Sequence, residues 1–323
     1  MARSQKLEDT LAILRTVRND LSTATAISTL QQVLKSKFSI AVAQAATLIG
    51  DAEIYELIPE LVKAFERFME KPETTDPGCK AKEYIAEALY KLEFSDERLF
   101  LQGIHHIQLE ATWGTRVDTA AGLRGMCALG LVRMNYPDVM VELADLLTDG
   151  DPSARATAAK AIAYTANKEG IPLLRLKAQI GDDNPNVLSE CFIGLLTLDP
   201  DQSLPFVARF LETHPDPACE MAVLALGESR LDTAFPILQT FWEQSNDRNL
   251  RSIGLMAIAM LRCDQAIDFL LSLITSGHHA DARDALAALK MYRQEHRLWE
   301  RVRQSIDQRG DESLHQVFNM SGQ

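Results

Sequence analysis

Two pairs of neighbouring histidines are the first residues in this sequence that could do chemistry, because imidazole is a common metal ligand. They are His105 with His106, and His278 with His279. Adjacent side chains on a helix point about 100° apart, so the two members of a pair cannot readily share one ion. No flanking carboxylate or cysteine completes either site. We therefore expect structural or solvated histidines, no metal site and no other cofactor.

The cysteines and the short sequence motifs also favour a protein that is not an enzyme. The sequence contains no GxGxxG, GxxxxGKS/T, HExxH or GxSxG motif. Catalytic groups brought together only by folding are left open, and no catalytic residue is predicted. The five cysteines are far apart and lack CxxC spacing, which predicts buried free thiols rather than a zinc site or a disulfide framework: Cys79, Cys127, Cys191, Cys219 and Cys263.

The composition predicts a folded, all-α chain. Of 323 residues, 46% are hydrophobic and 24% are charged, which is too apolar for a disordered protein. Aromatic residues make up only 7%, whereas alanine and leucine recur throughout, and this balance favours packed helices over strands. The charged start of the chain and the absence of an apolar run of about 20 residues predict no membrane insertion and a cytoplasmic location.

The charge disfavours nucleic acid as a partner. The net charge is −12 and it divides evenly, because residues 1–150 carry 16 basic and 22 acidic residues and residues 151–323 carry 17 and 23. Each half is therefore at −6. Binding a phosphate backbone normally needs a basic face.

The elements that must position any functional residue follow from a short repeated phrase of the form small, apolar, small. Its central residues are 40, 40, 33, 33, 31, 32 and 31 residues apart, and such a period predicts an array of paired helices. Pro172, Pro205 and Pro236 are interpreted as helix starts, because the first turn of a helix tolerates proline. The eight central residues are Ile49, Leu89, Leu129, Ile162, Leu195, Leu226, Ile258 and Leu289.

The stretch 146–155, LLTDGDPSAR, followed by Ala158, Ala159, Ala161 and Ile162, resembles the turn and second helix of a HEAT repeat. The resemblance is closest to the HEAT-like repeats first noted in phycobilisome lyases, and it spans about residues 24–308. It implies an α-solenoid, a right-handed superhelix of about eight helical hairpins with the second helices on the concave side. We expect one continuous domain, with a cap at 1–37, the array at 38–293 and a cap with tail at 294–323.

In that family, an aspartate of the turn and an arginine of the second helix form a ladder between neighbouring repeats. The resemblance assigns the aspartates to Asp76, Asp149 and Asp182, and the cations to Arg155, Arg251 and Lys82. Other residue types fill the arginine position elsewhere, so an interrupted ladder is expected: Val42, Gly122, Leu188 and Cys219.

The first two intervals are longer than the rest, and the additional residues fall in the turns 69–79 and 105–116. Regular packing needs no such insertions, so we expect them to contact a partner. Trp113 and Arg116 are of the types enriched at binding hot spots, although Trp113 folding back to cap its own hairpin is the alternative. The expected flanking inner surface consists of Lys82, Glu83, Glu87 and Arg124.

The leading functional hypothesis is a non-catalytic adaptor, scaffold or assembly factor that binds another protein through its curved surface. Two alternatives come from the resemblance alone. One is a lyase or chaperone subunit acting on bilin-carrying phycobiliproteins, and the other is a HEAT-like DNA glycosylase. The net charge and the three scattered tryptophans, Trp113, Trp242 and Trp299, disfavour the glycosylase. The partner's identity and the oligomeric state are not predicted.

Overall fold

The computed structural model describes residues 2–18, 21, 23–212 and 217–320, and within these residues it contains twenty α-helices and two short strands. The predicted all-α class is confirmed. The helices are α1 Ala2–Val17, α2 Ala24–Leu34, α3 Ser39–Asp51, α4 Ile58–Met69, α5 Pro72–Thr75, α6 Lys80–Lys91, α7 Glu97–Ile104, α8 Ala121–Arg133, α9 Val139–Leu146, α10 Pro152–Tyr164, α11 Ile171–Ile180, α12 Pro185–Leu198, α13 Pro200–Ala208, α14 Pro217–Glu228, α15 Phe235–Gln244, α16 Arg248–Met260, α17 Asp264–Ser276, α18 His279–Leu289, α19 His296–Arg309 and α20 Glu312–Met320. The strands are β1 Leu109–Ala111 and β2 Arg116–Asp118.

Eight helical hairpins account for the repeated phrase. Their first helices are α2, α4, α7, α9, α11, α13, α15 and α17, and each packs on the second helix of its own hairpin. The second helices are α3, α6, α8, α10, α12, α14, α16 and α18, and every central residue of the phrase lies in one of them. Seven of these residues are fully buried, and Leu129 alone is half-buried. The period therefore located the packed face of each repeat.

The hairpins group into two compact units, Met1–Ala166 and Asn167–Gln323. In the first unit the second helices α3, α6, α8 and α10 pack side by side, and α1 covers α2 and α3. In the second unit α12, α14, α16 and α18 pack in the same way, and α19 packs on α17. Each unit is thus a two-layered stack of helical hairpins, as expected for an α-solenoid. The handedness and the cap boundaries stay predictions.

Proline and side-chain caps mark where many of these helices begin. Pro172 and Pro236 occupy the first turns of α11 and α15, as predicted. The prediction for Pro205 is wrong, because it lies inside α13, which instead begins at Pro200. The carboxylate of Asp151 accepts the backbone N–H of Ser153 at the start of α10, which satisfies one of the free donors there.

Six of the second helices end on an exposed residue in the left-handed conformation that is not glycine. In the first repeat this residue is Glu53, with φ at 53°. The next residue, Ile54, donates its N–H to the carbonyl of Ile49 at 3.1 Å, which is the bond that closes a Schellman turn. The equivalent residues in the other repeats are Glu93, Asn135, Ala166, Arg230 and Arg262.

The second helices approach one another closely where small residues meet. A Cβ atom added to Gly227 of α14 would lie 2.6 Å from the carbonyl oxygen of Ala257 in α16, so only glycine fits this crossing. No helix among the described residues is long and apolar enough to cross a membrane.

Candidate functional site

The second inserted turn forms a β-hairpin that projects between α7 and α8. Strands β1 and β2 pair antiparallel, with Ala111 opposite Arg116 and Leu109 opposite Asp118. At the tip, Thr112 donates its N–H to the carbonyl of Thr115 at 2.9 Å, and Gly114 adopts a φ of 89° that favours glycine. The sequence predicted an inserted turn here without its conformation, and the structure shows that it contains two paired strands.

The hairpin presents Trp113 completely to solvent. The side chain is 104% exposed relative to a fully exposed reference, and Arg116 beside it is exposed as well. The alternative in which Trp113 folds back to cap the hairpin is therefore wrong. An exposed indole of this size is unusual, because burying an aromatic side chain is strongly favourable.

The base of the hairpin is fixed to the first inserted turn by hydrogen bonds. One carboxylate oxygen of Glu110 accepts the N–H of Gly78 at 2.7 Å, the amide of Gln108 at 2.6 Å and the hydroxyl of Thr119 at 3.0 Å. Gln108 also donates to the carbonyl of Asp76 at 2.8 Å. Burial opposes ionisation of Glu110, but these bonds dominate and lower its pKa. The two insertions therefore form one structural element.

A buried ion pair lies beneath this junction. The Lys82 ammonium is 3.0 Å from a carboxylate oxygen of Asp76, and neither side chain is exposed. Asp76 also accepts the N–H groups of Ala81 and Lys82 at 2.9 and 3.0 Å. Both residues belong to the same repeat, so this pair is a contact within the repeat and not a contact of the predicted ladder between neighbouring repeats. The prediction that Lys82 belongs to an exposed binding surface is wrong, because its only polar neighbours are inside the protein.

Arg124 is buried in the same way. Its guanidinium lies 2.6 Å from Asp118, donates to both oxygens of Asp149 at 2.7 and 2.8 Å, and donates to the carbonyl of His106 at 3.0 Å. Burial opposes its charge, yet the hydrogen bonds to Asp149 and Asp118 raise its pKa. The prediction of Arg124 as a surface contact is therefore wrong. It joins the base of the hairpin to the next repeat.

In the third repeat, the arginine position of the ladder was predicted at Gly122, two residues before the residue that fills it. Lys82 follows Asp76 by six residues, and Arg124 follows Asp118 by the same interval. The arginine position is thus filled by Arg124 and not by Gly122, which instead packs against the carboxylate of Glu83. The sequence reasoning missed Asp118 because the inserted hairpin separates it from the rest of the turn.

The remaining ladder residues have varied partners. Arg155 donates to the carbonyl of Asp149 at 2.8 Å, Arg251 lies 2.9 Å from Asp281, and Asp182 lies 2.8 Å from Lys177. Val42 and Leu188 do fill arginine positions with apolar side chains. The assignment of Cys219 depends on residues 213–216, which lie outside the described residues.

Glu83 and Glu87 are the other predicted surface residues. Both are partly exposed on α6, where Glu83 pairs with Lys80 at 2.8 Å and Glu87 with Lys91 at 2.7 Å. Of the six predicted contact residues, the hairpin thus carries the two most exposed, Trp113 and Arg116.

A small cavity at the base of the hairpin was not foreseen from the sequence. It has a volume of about 200 Å³ and combines aliphatic walls with carboxylates. One of the latter, Glu142, lies 2.8 Å from the ring of His105. His106 points elsewhere, to Gln108 at 3.2 Å, and burial lowers its pKa. The cavity is lined by Ile104, His105, Ile107, Arg124, Glu142, Asp145, Leu146 and Asp149.

Two larger grooves lie apart from the hairpin. One, of about 410 Å³, adjoins the first insertion at Thr74 and Pro77. The other, of about 660 Å³, lies in the second unit between α13 and α15 and is floored by Leu211, Ile237 and Phe241. Within the part of the chain that the structure describes, no group of three His, Cys, Asp or Glu side chains could hold a metal ion.

Comparison with known proteins identifies the repeat type. The family model for HEAT repeats matches residues 140–224. No curated protein matches the chain.

Solved structures resemble the chain at low sequence identity. The complex of CpcE and CpcF of phycocyanin lyase from Nostoc is 16% identical, with 73% of this chain and 91% of that chain covered and a TM-score of 0.38. Human deoxyhypusine hydroxylase is 17% identical, with coverage of 77% and 88% and a TM-score of 0.31. An engineered protein is 16% identical, with coverage of 94% and 93% and a TM-score of 0.40.

Proposed function

We propose that this chain, whose residues 140–224 match the model for HEAT repeats, is a non-catalytic scaffold or adaptor that binds another protein through the hairpin 109–118. The observation that carries this proposal is the fully exposed Trp113 at the tip of a hairpin that is held rigidly at its base. Trp and Arg are the residue types most enriched at binding hot spots. The proposed location is the cytoplasm.

The rigid base is what distinguishes this hairpin from an ordinary surface loop. A flexible loop loses conformational freedom on binding, which costs free energy, whereas a loop already ordered by internal contacts loses little. Glu110, Gln108 and the buried Asp76 supply that order before any partner arrives. The backbone that carries Trp113 and Arg116 is therefore ordered at its base, which lowers the conformational entropy lost on binding.

Other functions draw less support from the described residues. A glycosylase needs exposed aromatic side chains in a basic channel, but Trp242 is buried and the chain carries a net charge of −12. The bilin lyase alternative rests on the resemblance of the repeats, and no residue on the described surface favours it over protein binding.

Site-specific photo-crosslinking tests the proposal. A benzoylphenylalanine at position 113 of the full chain is expected to capture a defined protein in a lysate of the native cell. The same group at Tyr55, which is half exposed at a different turn, is the matched control and should not capture it. Equal capture from both positions, or none from position 113, would contradict the proposal.

Affinity for the purified captured protein gives the quantitative test. The double variant Trp113→Ala, Arg116→Ala should bind it at least tenfold more weakly, equivalent to about 1.4 kcal/mol. The circular dichroism spectrum should not change, because neither side chain packs in the core. Undiminished affinity in this double variant would mean that the hairpin has only a structural role and does not contact the partner.

A further inference from the structure

We propose that the partner segment bound beside the hairpin is basic, with a Lys or Arg side chain that enters the cavity at the hairpin's base and an apolar residue next to it. This inference rests on the proposed function, because it names the chemistry of the partner for the same surface.

An exposed apolar strip leads from the cavity toward the hairpin tip. Ile107 is 65% exposed and Leu109 is 41% exposed, and Trp113 lies beyond them at the tip. The intervening residues Gln108 and Glu110 point the other way, toward the first insertion, as the alternation of an extended strand requires. The outer side of β1 is therefore apolar and has no covering element among the described residues.

Carboxylates surround the cavity end of this strip. Asp118 lies opposite Leu109 in the strand pairing, and Glu142, Asp145 and Asp149 line the cavity. Arg124, whose side chain is only 4% exposed, is bonded to two of these carboxylates, Asp118 and Asp149. Glu142 and Asp145 are therefore the carboxylates at the cavity that Arg124 does not pair.

Asp145 is the carboxylate best placed to receive a new cation. It is exposed at the mouth of the cavity, and within the described part of the chain its carboxylate has no hydrogen-bond or ion-pair partner. Glu142, by contrast, is engaged by His105, the other basic group that faces the cavity.

The shape and lining of the cavity match a long basic side chain. Lysine and arginine combine an aliphatic stem with a charged head, so they bind best where an apolar wall leads to an acidic group. Ile104, Ile107 and Leu146 supply that wall, and a volume of about 200 Å³ accommodates a single side chain. Because Glu142 and Asp149 are largely shielded from water, their attraction for a cation is screened less than on an open surface.

Peptide titrations of the full chain, followed by the methyl signals of Ile104 and Ile107, test this inference. The probes are the acetylated and amidated pentapeptide Ala-Leu-Lys-Leu-Ala and the same peptide with norleucine in place of lysine. The lysine peptide should shift both methyl signals and bind at least tenfold more tightly than the norleucine peptide. Raising the salt concentration should reduce that difference.

Matched variants identify the carboxylate responsible. Asp145→Asn should lower the affinity for the lysine peptide to that for the norleucine peptide, whereas Asp138→Asn, an exposed aspartate just before α9, should leave it unchanged. Equal binding of the two peptides, or an undiminished preference in Asp145→Asn, overturns the inference. Those results would not contradict capture of a protein from position 113. A failure of this inference can therefore be distinguished from a failure of the proposed function.

Discussion

Replacing Lys82 with methionine should loosen the junction between the two insertions. Methionine preserves most of the length of the side chain, so the main loss is the ammonium group that lies 3.0 Å from Asp76. The Asp76 carboxylate would remain buried with its charge and only two backbone N–H donors. Removing one partner of a buried ion pair costs about 3–5 kcal/mol, and the remaining donors favour the lower end of that range.

The carbonyl of Asp76 also anchors Gln108, so the effect should reach the hairpin. A loss of about 3 kcal/mol corresponds to a roughly hundredfold increase in the population of locally opened molecules. Hydrogen exchange measured by mass spectrometry should therefore accelerate by that factor in peptides covering 76–91 and 105–119, with little change in the second unit.

Lys80→Met is the matched control for this prediction. Lys80 lies in the same helix, but its pair with Glu83 is exposed and should contribute less than about 1 kcal/mol. The double variant Lys82→Met, Asp76→Asn should exchange more slowly than Lys82→Met alone, because it no longer buries an unpaired charge. If Lys82→Met and Lys80→Met behave alike, the ion pair does not hold the junction.

Three further predictions concern packing, pH and thiol chemistry. Gly227→Ala should destabilise the protein to urea by about 1–3 kcal/mol through overpacking against Ala257, whereas Gly150→Ala, with no atom within 4 Å of the added Cβ, should be nearly neutral. The hydroxyl of Ser313, followed by His279 and backbone donors at the start of α20, lowers the pKa of Asp311 from 3.8 to about 2. Its contribution to stability is therefore present above about pH 4 and lost as the pH falls toward 2, and the fluorescence of Trp299, stacked on Phe318, should show a step there that Asp311→Asn lacks. With Ellman's reagent at pH 8, one thiol should react fast, and it should be that of the half-buried Cys263. The other four thiols are buried, and burial raises the pKa of Cys79 and of Cys191 to about 12, which keeps them protonated and slow to react. A fast phase that persists in Cys263→Ser would contradict this.

The repeat array could be predicted from the sequence because its signal is local. At least one small residue stands beside the apolar one in each second helix, and the same packing between second helices buries Ile162 and Leu226 in their repeats. Leu129 fits the pattern yet is half-buried. The phrase therefore predicts the position of the second helix more reliably than the burial of its central residue.

The site could be predicted only in part, because the conformation of its hairpin depends on contacts with residues far away in the sequence. The exposure of Trp113 follows from a hairpin that Gly78 stabilises from 32 residues away. A local signal was available, since a four-residue loop containing glycine between two short runs is typical of a hairpin. The burial of Lys82 and Arg124 had no such signal, because charged residues are mostly exposed and each depends on an aspartate whose position the insertions change.

The residues in the left-handed conformation that follow six second helices bear on which substitutions this protein tolerates. Glycine is the residue best suited to that conformation, and any other residue there costs about 1 kcal/mol. The chain nonetheless carries acidic side chains at two of these ends in the first unit, Glu53 and Glu93, and basic ones at two ends in the second, Arg230 and Arg262. Each is exposed at the same point of its repeat, and Arg262 also lies over the ring of the buried Tyr292, 5.3 Å from its centroid. Evolution or design can therefore change the charge at Glu53 and Glu93 one repeat at a time with little effect on the core, whereas a change at Arg262 also removes its contact with Tyr292.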